Sequence, residues 1–550
     1  MRNPARIPGV AIAAALLLPV TIHAGDTYPG YGYEPTKKEH IGEKEYSPFL
    51  NIGYPQRVYW GDTHLHTSLS TDAGMIGNRL GPEEAYRFAR GETVTSSTGV
   101  RARLQRPLDF LVAADHAENL GLAPMIAEKN PDLLKLDFGK KIAQLVYDGK
   151  YGEAYALWGE GMSTRKDPLA GQEALTRTMW ERLTEAGEKF NEPGRFTALL
   201  GFEWTSSPSG NNLHRNVILR DGKDEVDQVL PFSNYDSTDP EDLWAWMQAY
   251  EEKTGGRALA IAHNGNLSNG LMFDDVTFSG KKIDRAYAEQ RMRWEPIYEV
   301  TQMKGDGEAH PALSPNDEFA DYYRWDKGNF GLYAKKPDML PREYARQALM
   351  RGLDYEAKLG VNPYKFGMIG STDSHTSLAT TTEDNFFGKV AAVEPTGDPV
   401  RFEEVVGGIG GEESVAQYAR QTSAAGLVAV WARENTREAI WDAMARKEVY
   451  ATTGTRLRVR IFGGFDFEES DRYRSDYAAN GYAKGVPMGG DLPAKPAGAK
   501  APVFMVGALK DSWSGNLDRI QIVKGWVDSN GDRQERIYDV AVSDGRVIGA

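Results

Sequence analysis

Short apolar runs bounded by turn-forming residues recur along the chain. They cover residues 108–114, 196–201, 258–262, 294–300 and 366–370, and an earlier one lies at 58–63. Runs of this kind are typical of strands buried on both faces of a parallel sheet. Proline and acidic residues at Pro82 and at Asp239-Pro240 mark the starts of helices between them. The pattern therefore predicts an α/β fold built around buried parallel strands.

Polar side chains with metal-binding chemistry follow these strands. His64 and His66 come just after the first strand, and residues two apart on a strand point to the same side, so both rings can hold one cation. The later runs lead to Asp115-His116, to Glu203 with His214 soon after, to His263, and to Asp373 with His375. Polar ligands at several strand ends are how a (β/α) barrel builds its active site. The pattern predicts such a barrel; for His64 and His66 alone, an exposed turn with two incidental histidines is the alternative.

Longer motifs around these residues carry a family resemblance. In chain order they are GDTHLHTSLSTDAG, DFLVAADHAEN, GFEWTS, HRNVIL, AIAHN, FGMIGSTDSHTS and YATTGTR. The order of histidine and acidic residues resembles the PHP (polymerase and histidinol phosphatase) superfamily, and the flanking residues look like a large bacterial group called DUF3604. The resemblance extends from about residue 54 to the C-terminus. It implies a distorted barrel that holds up to three metal ions.

The resemblance also implies a set of metal ligands. Carried over residue by residue, they are His64, His66, Asp72, His116, Glu203, His214, His263, Asp373 and His375. Asp72 stands where many PHP proteins have a histidine, and Glu203 is expected to bridge ions. For His116 and His214 a contact to another ligand or to substrate is the alternative. Mixed histidine and carboxylate ligands suit Zn, Mn or Fe, so we expect two or three divalent transition-metal ions.

Three further residues are candidate catalytic side chains. Asp115, like Asp62, would orient a ligand from outside the metal shell or act as a base. Arg215 follows His214 and would meet an anionic group of the substrate, with a structural ion pair as an equal alternative. Glu299 falls in the strand at 294–300 on the same side of the sheet. It is a ligand or base, or else a helix cap or a lysine partner.

The composition limits the possible chemistry. The 550 residues carry a net charge of −14 and include no cysteine. Disulfides, iron–sulfur clusters and zinc–thiolate sites are therefore excluded, and a metal has to be held by His, Asp and Glu. The acidic balance makes nucleic acid and an anionic membrane poor partners for the surface as a whole.

The chain divides into regions that differ in composition and in hydrophobic pattern. Residues 1–24 have the pattern of an export signal, with an apolar stretch too short to span a bilayer. We therefore expect a periplasmic or secreted protein without a stable membrane anchor. Residues 25–55 predict an extended arm, residues 56–455 the barrel, and residues 456–550 a smaller β-sandwich-like domain. The last residues end inside an apparent strand, and we interpret the chain as a C-terminally incomplete member of the group.

A helix-forming insertion at 118–192 interrupts the predicted barrel. It contains aromatic residues, among them Tyr155, Trp158 and Trp180, and lies between two strand-end ligands. It is either a lid or substrate wall over the mouth of the barrel, or a helical buttress.

Together these observations predict an exported metal-dependent hydrolase that uses a metal-activated water and needs no Ser or Cys nucleophile. By analogy with the superfamily, phosphoric esters of small molecules are the expected substrates, although a fold does not fix a substrate. Sulfate esters, carboxylic esters and amides are alternatives. The remaining alternative is a protein that binds a metal or another ligand and has no catalytic activity.

Overall fold

A computed structural model of the chain describes residues 52–330, 333–407, 413–424 and 426–546. The chain divides into two units, Met1–Tyr54 and Pro55–Ala550, and every element named below belongs to the second. The predicted export signal lies outside the described residues, and so does the predicted arm apart from residues 52–55.

The described residues form nineteen β-strands and thirteen α-helices. The strands are β1 (Arg57–Leu65), β2 (Val94–Thr95), β3 (Arg101–Ala102), β4 (Phe110–Ala113), β5 (Thr197–Trp204), β6 (Arg215–Leu219), β7 (Ala258–His263), β8 (Ile297–Gln302), β9 (Gly305–Asp306), β10 (Gly367–Gly370), β11 (Val405–Gly407), β12 (Gln417–Tyr418), β13 (Leu427–Ala432), β14 (Val449–Thr452), β15 (Arg458–Gly464), β16 (Gly485–Pro487), β17 (Val503–Leu509), β18 (Arg519–Val527) and β19 (Arg533–Val542). The helices are α1 (Thr71–Met75), α2 (Pro82–Ala89), α3 (Leu122–Ala127), α4 (Asp137–Tyr147), α5 (Tyr151–Thr164), α6 (Glu173–Phe190), α7 (Lys223–Val226), α8 (Pro240–Thr254), α9 (Arg285–Trp294), α10 (Ala345–Leu359), α11 (Val400–Glu403), α12 (Arg437–Ala445) and α13 (Tyr477–Lys484).

The predicted strands pair in one large mixed sheet. Their order is β10, β8, β7, β6, β5, β4, β1, β13 and β14, and β9 pairs with β8 beside this path. The ladders β1–β4, β4–β5, β7–β8 and β8–β10 are parallel. The ladders β5–β6, β6–β7, β1–β13 and β13–β14 are antiparallel. The six strands predicted from the apolar runs, β1, β4, β5, β7, β8 and β10, therefore all run in the same direction, as expected. Strand β6 is an addition between β5 and β7, and it is antiparallel to β5 because the short connection between them permits a hairpin and no crossover.

The sheet curls until its end strands lie against each other. A Cβ atom added to Gly370 in β10 would lie 3.1 Å from the carbonyl oxygens of Leu427 and Thr452, in β13 and β14. Glycine permits this close backbone approach because it has no side chain. In the described part of the chain no ladder joins β10 to β14. The predicted α/β class is thus confirmed as a curled, mixed half-barrel.

Alternate residues of each strand enter two different cores. Phe110 and Val112 of β4 pack with residues from across the curled sheet, including Ile261. Leu111 packs on the other face of the sheet, in a core that includes Phe88 of α2. Successive side chains of a strand point to opposite faces, so a strand buried on both faces needs apolar residues throughout. This is why the sequence shows continuous apolar runs.

The insertion at 118–192 contains helices α3 to α6. Trp180 of α6 is fully buried, and its ring lies edge-on to Phe202 of β5 with centroids 6.0 Å apart. This packing favours the buttress interpretation for α6. In α5, burial and the negative charge of Asp72 raise the pKa of the Tyr155 hydroxyl. Because Asp72 is a predicted ligand, this interaction favours the wall interpretation for α5.

The C-terminal strands form two small sheets. Strands β16, β15 and β17 pair in that order, and β18 pairs with β19 as a separate ribbon. The ribbon packs on α10, since a Cβ atom on Gly525 would lie 2.9 Å from the Met350 side chain. The β-sandwich at 456–550 stays a prediction.

Among the described residues, no helix combines the length and the apolar character needed to cross a bilayer.

Candidate metal centre

The end of β1 is held against the loop that carries Asp373 and His375. The Asp373 N–H donates to the His64 carbonyl (2.7 Å), and the His66 N–H donates to the Ser374 carbonyl (2.9 Å). These bonds bring the two histidine-containing motifs side by side. The Asp373 Oδ1 atom then lies 3.4 Å from Nε2 of both His64 and His66.

Strands β5, β6 and β7 supply the second half of the cluster. Glu203 lies near the end of β5, His214 immediately before β6, and His263 at the end of β7. Because β6 is antiparallel to both neighbours, its start lies at the same edge as their ends. The Glu203 Oε1 atom is 2.7 Å from Nδ1 of His214 and 3.1 Å from Nε2 of His263.

Glu203 also joins this half to β1. Its Oε2 atom lies 3.3 Å from Nε2 of His64 and 3.1 Å from Nε2 of His66. The same oxygen is 3.4 Å from Nδ1 of His116. One carboxylate therefore faces five imidazole rings, which is the position of a ligand shared between ions.

Asp72 forms the centre of the third part of the cluster. Its Oδ2 atom is 2.8 Å from Nε2 of His375 and 3.3 Å from Nε2 of His116. The ring of His66 lies 4.0 Å from that of His375, centroid to centroid, so this part adjoins the others directly.

Four groups of ligand atoms in the described residues could each hold a cation. They are His66–Asp72–His116–His375, His64–His263–Glu299, His64–His66–Glu203 and Glu203–His214–His263, and within each group the ligand atoms lie within 4.8 Å of one another. Eight of the nine predicted ligands belong to these groups. Asp373 contacts two members through Oδ1, as described above. The groups share members, as expected of adjacent ions with common ligands.

Unsatisfied polar atoms at the centre fit a bound cation. Nε2 of His64, Nε2 of His66, Oε2 of Glu203 and Nδ1 of His263 are buried and have no hydrogen-bond partner. Such atoms are rare in folded proteins because an unpaired buried polar group is costly. A divalent cation would satisfy these donor atoms, and the nitrogen and oxygen set suits a transition metal.

The charges of the cluster keep its carboxylates ionised. Burial raises the pKa of Asp373, but the ammonium groups of Lys304 and Lys389 outweigh it and hold the pKa well below its usual range. Burial also raises the pKa of Glu203 and Asp72, and the surrounding histidines outweigh it in both. Ionised carboxylates are the form that binds metal.

The histidines divide into two classes. Burial lowers the pKa of His214 and of His375 to about 3, so both rings are neutral at pH 7. Burial would also lower the pKa of His64, but Asp373 and Glu299 outweigh it and raise the pKa to about 10. His64 thus lies between carboxylates, and a cation there would replace its proton.

Glu299 is the predicted catalytic residue that the structure brings into the cluster. Both its carboxylate oxygens lie 3.1 Å from Nδ1 of His64. A carboxylate in this position fixes the ring so that Nε2 points at the centre. Glu299 also belongs to the group with His64 and His263, so it is either a ligand or the orienting partner of His64.

Asp115 and Asp62 hold backbone segments and do not contact imidazole rings. Asp115 accepts hydrogen bonds from Thr67 N (2.5 Å) and Thr67 Oγ1 (2.7 Å). Asp62 accepts from the backbone N–H of His64 (2.9 Å) and of Thr372 (3.1 Å). Both carboxylates therefore lie outside the ligand set and hold the loops that carry the ligands through their backbone.

Arg215 does not face the cluster. Its Nε lies 3.0 Å from Oε1 of Glu295, both side chains are buried, and the guanidinium also donates to the Leu213 carbonyl. The ion-pair alternative is the one that the structure favours. His310, which lies outside the cluster's ligand groups, is also buried, with Nε2 3.0 Å from Oδ2 of Asp326.

Two lysines at the cluster are missing from the sequence-based set. Lys304 contacts Oδ2 of Asp373, and Nζ of Lys389 lies 2.6 Å from Oδ1. Lys304 follows β8 closely, so the strand-end rule that identified the histidines could have found it. Lys389 lies in a loop with no such signal.

Two residues at the cluster have a left-handed backbone conformation. Asp373 has φ of +53° and Asn264, next to His263, has φ of +50°. Non-glycine residues rarely adopt this left-handed region, and at functional sites the surrounding structure stabilises it. The Gln302 amide donates to Asp373 Oδ2 (2.6 Å) and to Asn264 Oδ1 (2.8 Å), so one side chain holds both residues.

Comparison with solved structures gives a distant similarity. The chain is similar to a two-domain protein from Bacteroides vulgatus that contains a predicted PHP-like metal-dependent phosphoesterase, at 11% sequence identity and a TM-score of 0.29. The match covers 72% of this chain and 65% of that one, so the chain spans slightly less than two thirds of that protein. No curated protein matches the sequence.

Comparison with protein-family models gives an extensive match. The model of DUF3604, described as a protein of unknown function, matches residues 54–550. This range includes the whole curled sheet and all members of the metal-binding groups. The chain belongs to the DUF3604 family.

Proposed function

We propose that the protein is a metal-dependent hydrolase of small-molecule esters, in the first place phosphoric esters. The observation that carries the proposal is Glu203, which lies against His64, His66, His214 and His263 and so links groups that could hold separate cations. Two or three divalent ions held in this way would activate a water and stabilise the entering and leaving oxygens of an ester.

The residues of the chain have distinct tasks in this proposal. His64, His66, Asp72, His116, Glu203, His214, His263, Asp373 and His375 hold the ions. Glu299 orients His64 and is the nearest candidate base. Asp62, Asp115 and Gln302 hold the ligand-bearing loops in place, and burial of the cluster excludes bulk water.

The charge of the centre supports a phosphoric ester. Asp72, Glu203, Glu299 and Asp373 contribute four negative charges, and Lys304 and Lys389 offset two of them. Divalent cations held here, together with the two ammonium groups, would offset the carboxylates and favour an anionic substrate over a neutral one. The order of the motifs, which resembles the PHP superfamily, supports the same assignment and a distorted barrel of that type.

The test uses the purified full chain. Elemental analysis determines the bound metals, and the chelator-treated protein is reloaded separately with Zn, Mn and Fe. Hydrolysis of 4-nitrophenyl phosphate, sulfate and acetate is then measured for the native protein, for Glu203→Gln and for Glu252→Gln, an exposed control in α8. We expect activity in the native and control proteins and its loss in Glu203→Gln. Stoichiometric metal without hydrolysis of any ester would instead indicate a metal- or ligand-binding protein.

A further inference from the structure

Two ammonium groups converge on one carboxylate at the centre of the cluster. Lys304 contacts Oδ2 of Asp373, and Lys389 Nζ lies 2.6 Å from Oδ1. Both lysines are buried, at 8% and 4% exposure. Buried lysines are rare unless paired, and here two of them share one carboxylate.

The two lysines are held differently. Lys389 Nζ also contacts the Asp373 carbonyl and lies 2.7 Å from Nδ1 of His375, so several polar atoms fix it beneath Asp373. Among the described residues, the ammonium group of Lys304 has a single hydrogen-bonding partner, Asp373 Oδ2. Lys304 is the lysine that can exchange its partner.

Lys304 lies between the cluster and an aromatic side chain. Its Nζ is 5.1 Å from the centroid of the Phe330 ring, and the Phe330 ring is 5.6 Å from the ring of His214. Phe330 is half-buried. Lys304 and Phe330 therefore lie together beside His214 of the Glu203–His214–His263 group.

We propose that Lys304 binds the charged oxygen of the substrate, with the Phe330 ring as the adjoining apolar wall. The site would thereby select esters of oxyanions, such as phosphate or sulfate esters, over neutral carboxylic esters. The inference rests on the proposed hydrolase function and specifies its substrate class.

Electrostatics explains the exchange. When a divalent cation is held by Asp373, the charge of that carboxylate is already compensated, and its attraction for Lys304 falls. The four-carbon side chain of lysine is flexible and carries a compact charge. An anionic oxygen within reach then becomes the better partner, and a lysine commonly serves as such a point charge for phosphate.

Binding measurements test this inference independently of catalysis. Inorganic phosphate and inorganic sulfate are titrated calorimetrically into the metal-loaded full chain and into Lys304→Met, Lys304→Arg and Lys336→Met. Lys336 is exposed in the stretch that follows Phe330 and serves as the control. We expect phosphate affinity to fall by about 10-fold or more in Lys304→Met, because a charged hydrogen bond is lost, and to be kept within about 3-fold in Lys304→Arg and Lys336→Met, where a charge remains near the cluster.

The outcomes separate the possible roles of Lys304. Unchanged phosphate and sulfate affinity in Lys304→Met, with full metal content, would overturn the inference. Loss of metal from Lys304→Met would also overturn it, since Lys304 would then act through Asp373. If Lys304→Met does not fold, as judged by circular dichroism, Lys304→Gln replaces it in the same comparison.

Kinetic measurements distinguish failure of this inference from failure of the proposed function. In Lys304→Met, kcat/KM for 4-nitrophenyl phosphate or sulfate should fall at least 10-fold further than kcat/KM for 4-nitrophenyl acetate, because only the first two carry the charge. A selective loss for one oxyanion identifies the ester class and supports the inference. Equal losses for all three esters would contradict it. If the native protein hydrolyses none of them, the proposed function fails, whereas the phosphate and sulfate titrations still decide the role of Lys304.

Discussion

The buried ion pair of Arg215 offers a sharp test of the structure, because the sequence allowed two roles for this residue. Glu295 is contacted by three donors: Arg215 Nε (3.0 Å from Oε1), Arg291 Nε (3.4 Å from Oε2) and Trp244 Nε1 (3.0 Å from Oε1). Burial raises the pKa of Glu295, but the two arginines outweigh it and lower the pKa. The carboxylate is therefore charged in the folded protein.

The geometry predicts unequal costs for removing the two partners. Glu295→Gln leaves two buried guanidinium groups without a counter-charge and should lower the free energy of unfolding by about 3–5 kcal/mol. Arg215→Met leaves Glu295 paired with Arg291 and Trp244, so one charged hydrogen bond is lost, at about 2 kcal/mol. The loss in the free energy of unfolding should be smaller in the double variant than the sum of the two single losses. In the double variant neither member of the Arg215–Glu295 pair is left without its partner.

Urea unfolding followed by circular dichroism measures these differences, compared as shifts in midpoint at constant slope. Arg220→Met is the control, since Arg220 lies just beyond the other end of β6 in a partly exposed pair with Asp442 (2.8 Å) and should contribute less than about 1 kcal/mol. KM should be unaffected in Arg215→Met. A raised KM with an unchanged urea midpoint would refute the structural role and make Arg215 a substrate contact.

Three further predictions concern packing, pH and metal. Trp180→Ala should destabilise the protein by about 3–5 kcal/mol in urea unfolding, because the insertion buttresses β5; a loss below about 1 kcal/mol would indicate a dispensable insertion. Burial raises the pKa of Asp511, but hydrogen bonds from Arg106, Arg456 N and Trp513 N outweigh it and lower the pKa from 3.8 to about 2. Its stabilising contribution should therefore be complete above about pH 4 and disappear as the pH falls through about 2; Asp511→Asn should lack this part of the acid-unfolding profile, and an identical profile would contradict the assignment. Chelation should lower the thermal midpoint and metal should restore it, with about 2.7 kcal/mol gained at a metal concentration 100-fold above Kd; a midpoint insensitive to both treatments would count against a bound cation.

The strands in the apolar runs were predictable from the sequence, but the antiparallel strands beside them were not. Continuous apolar runs appear wherever both faces of a strand are buried, and they say nothing about whether a neighbour runs parallel or antiparallel. The short connection between Glu203 and His214 contained that information, because a parallel crossover needs more residues than it provides. The positions of the ligands at one edge of the sheet nevertheless came out correctly, since the start of an antiparallel strand lies beside the ends of its neighbours.

The candidate site was predictable where a residue type is rare and placed at a strand end. Histidines met both conditions, and the structure brings His64, His66, His116, His214, His263 and His375 together. Lys304 met only the condition of lying at a strand end, because lysine is not a rare residue type and is common on every protein surface. The partners of Asp62, Asp115 and Arg215 were not predictable, since sequence position does not show whether a charged side chain turns toward the centre or toward a backbone or an ion pair behind it.

The mixed topology has a consequence for the order in which the cluster can assemble. Glu203 and His214 are 11 residues apart on one hairpin, whereas Asp72 and His375 are separated by 303 residues and His64 and Glu299 by 235. Local pairs form before distant ones because closing a longer loop costs more chain entropy. The hairpin half can therefore exist in a partly folded chain, while the group that contains Asp72 and His375 requires almost the whole domain. High-affinity metal uptake should accordingly lag behind the recovery of secondary structure during refolding, and the ions would be acquired only by molecules that have finished folding; uptake in step with the first strands would contradict this order.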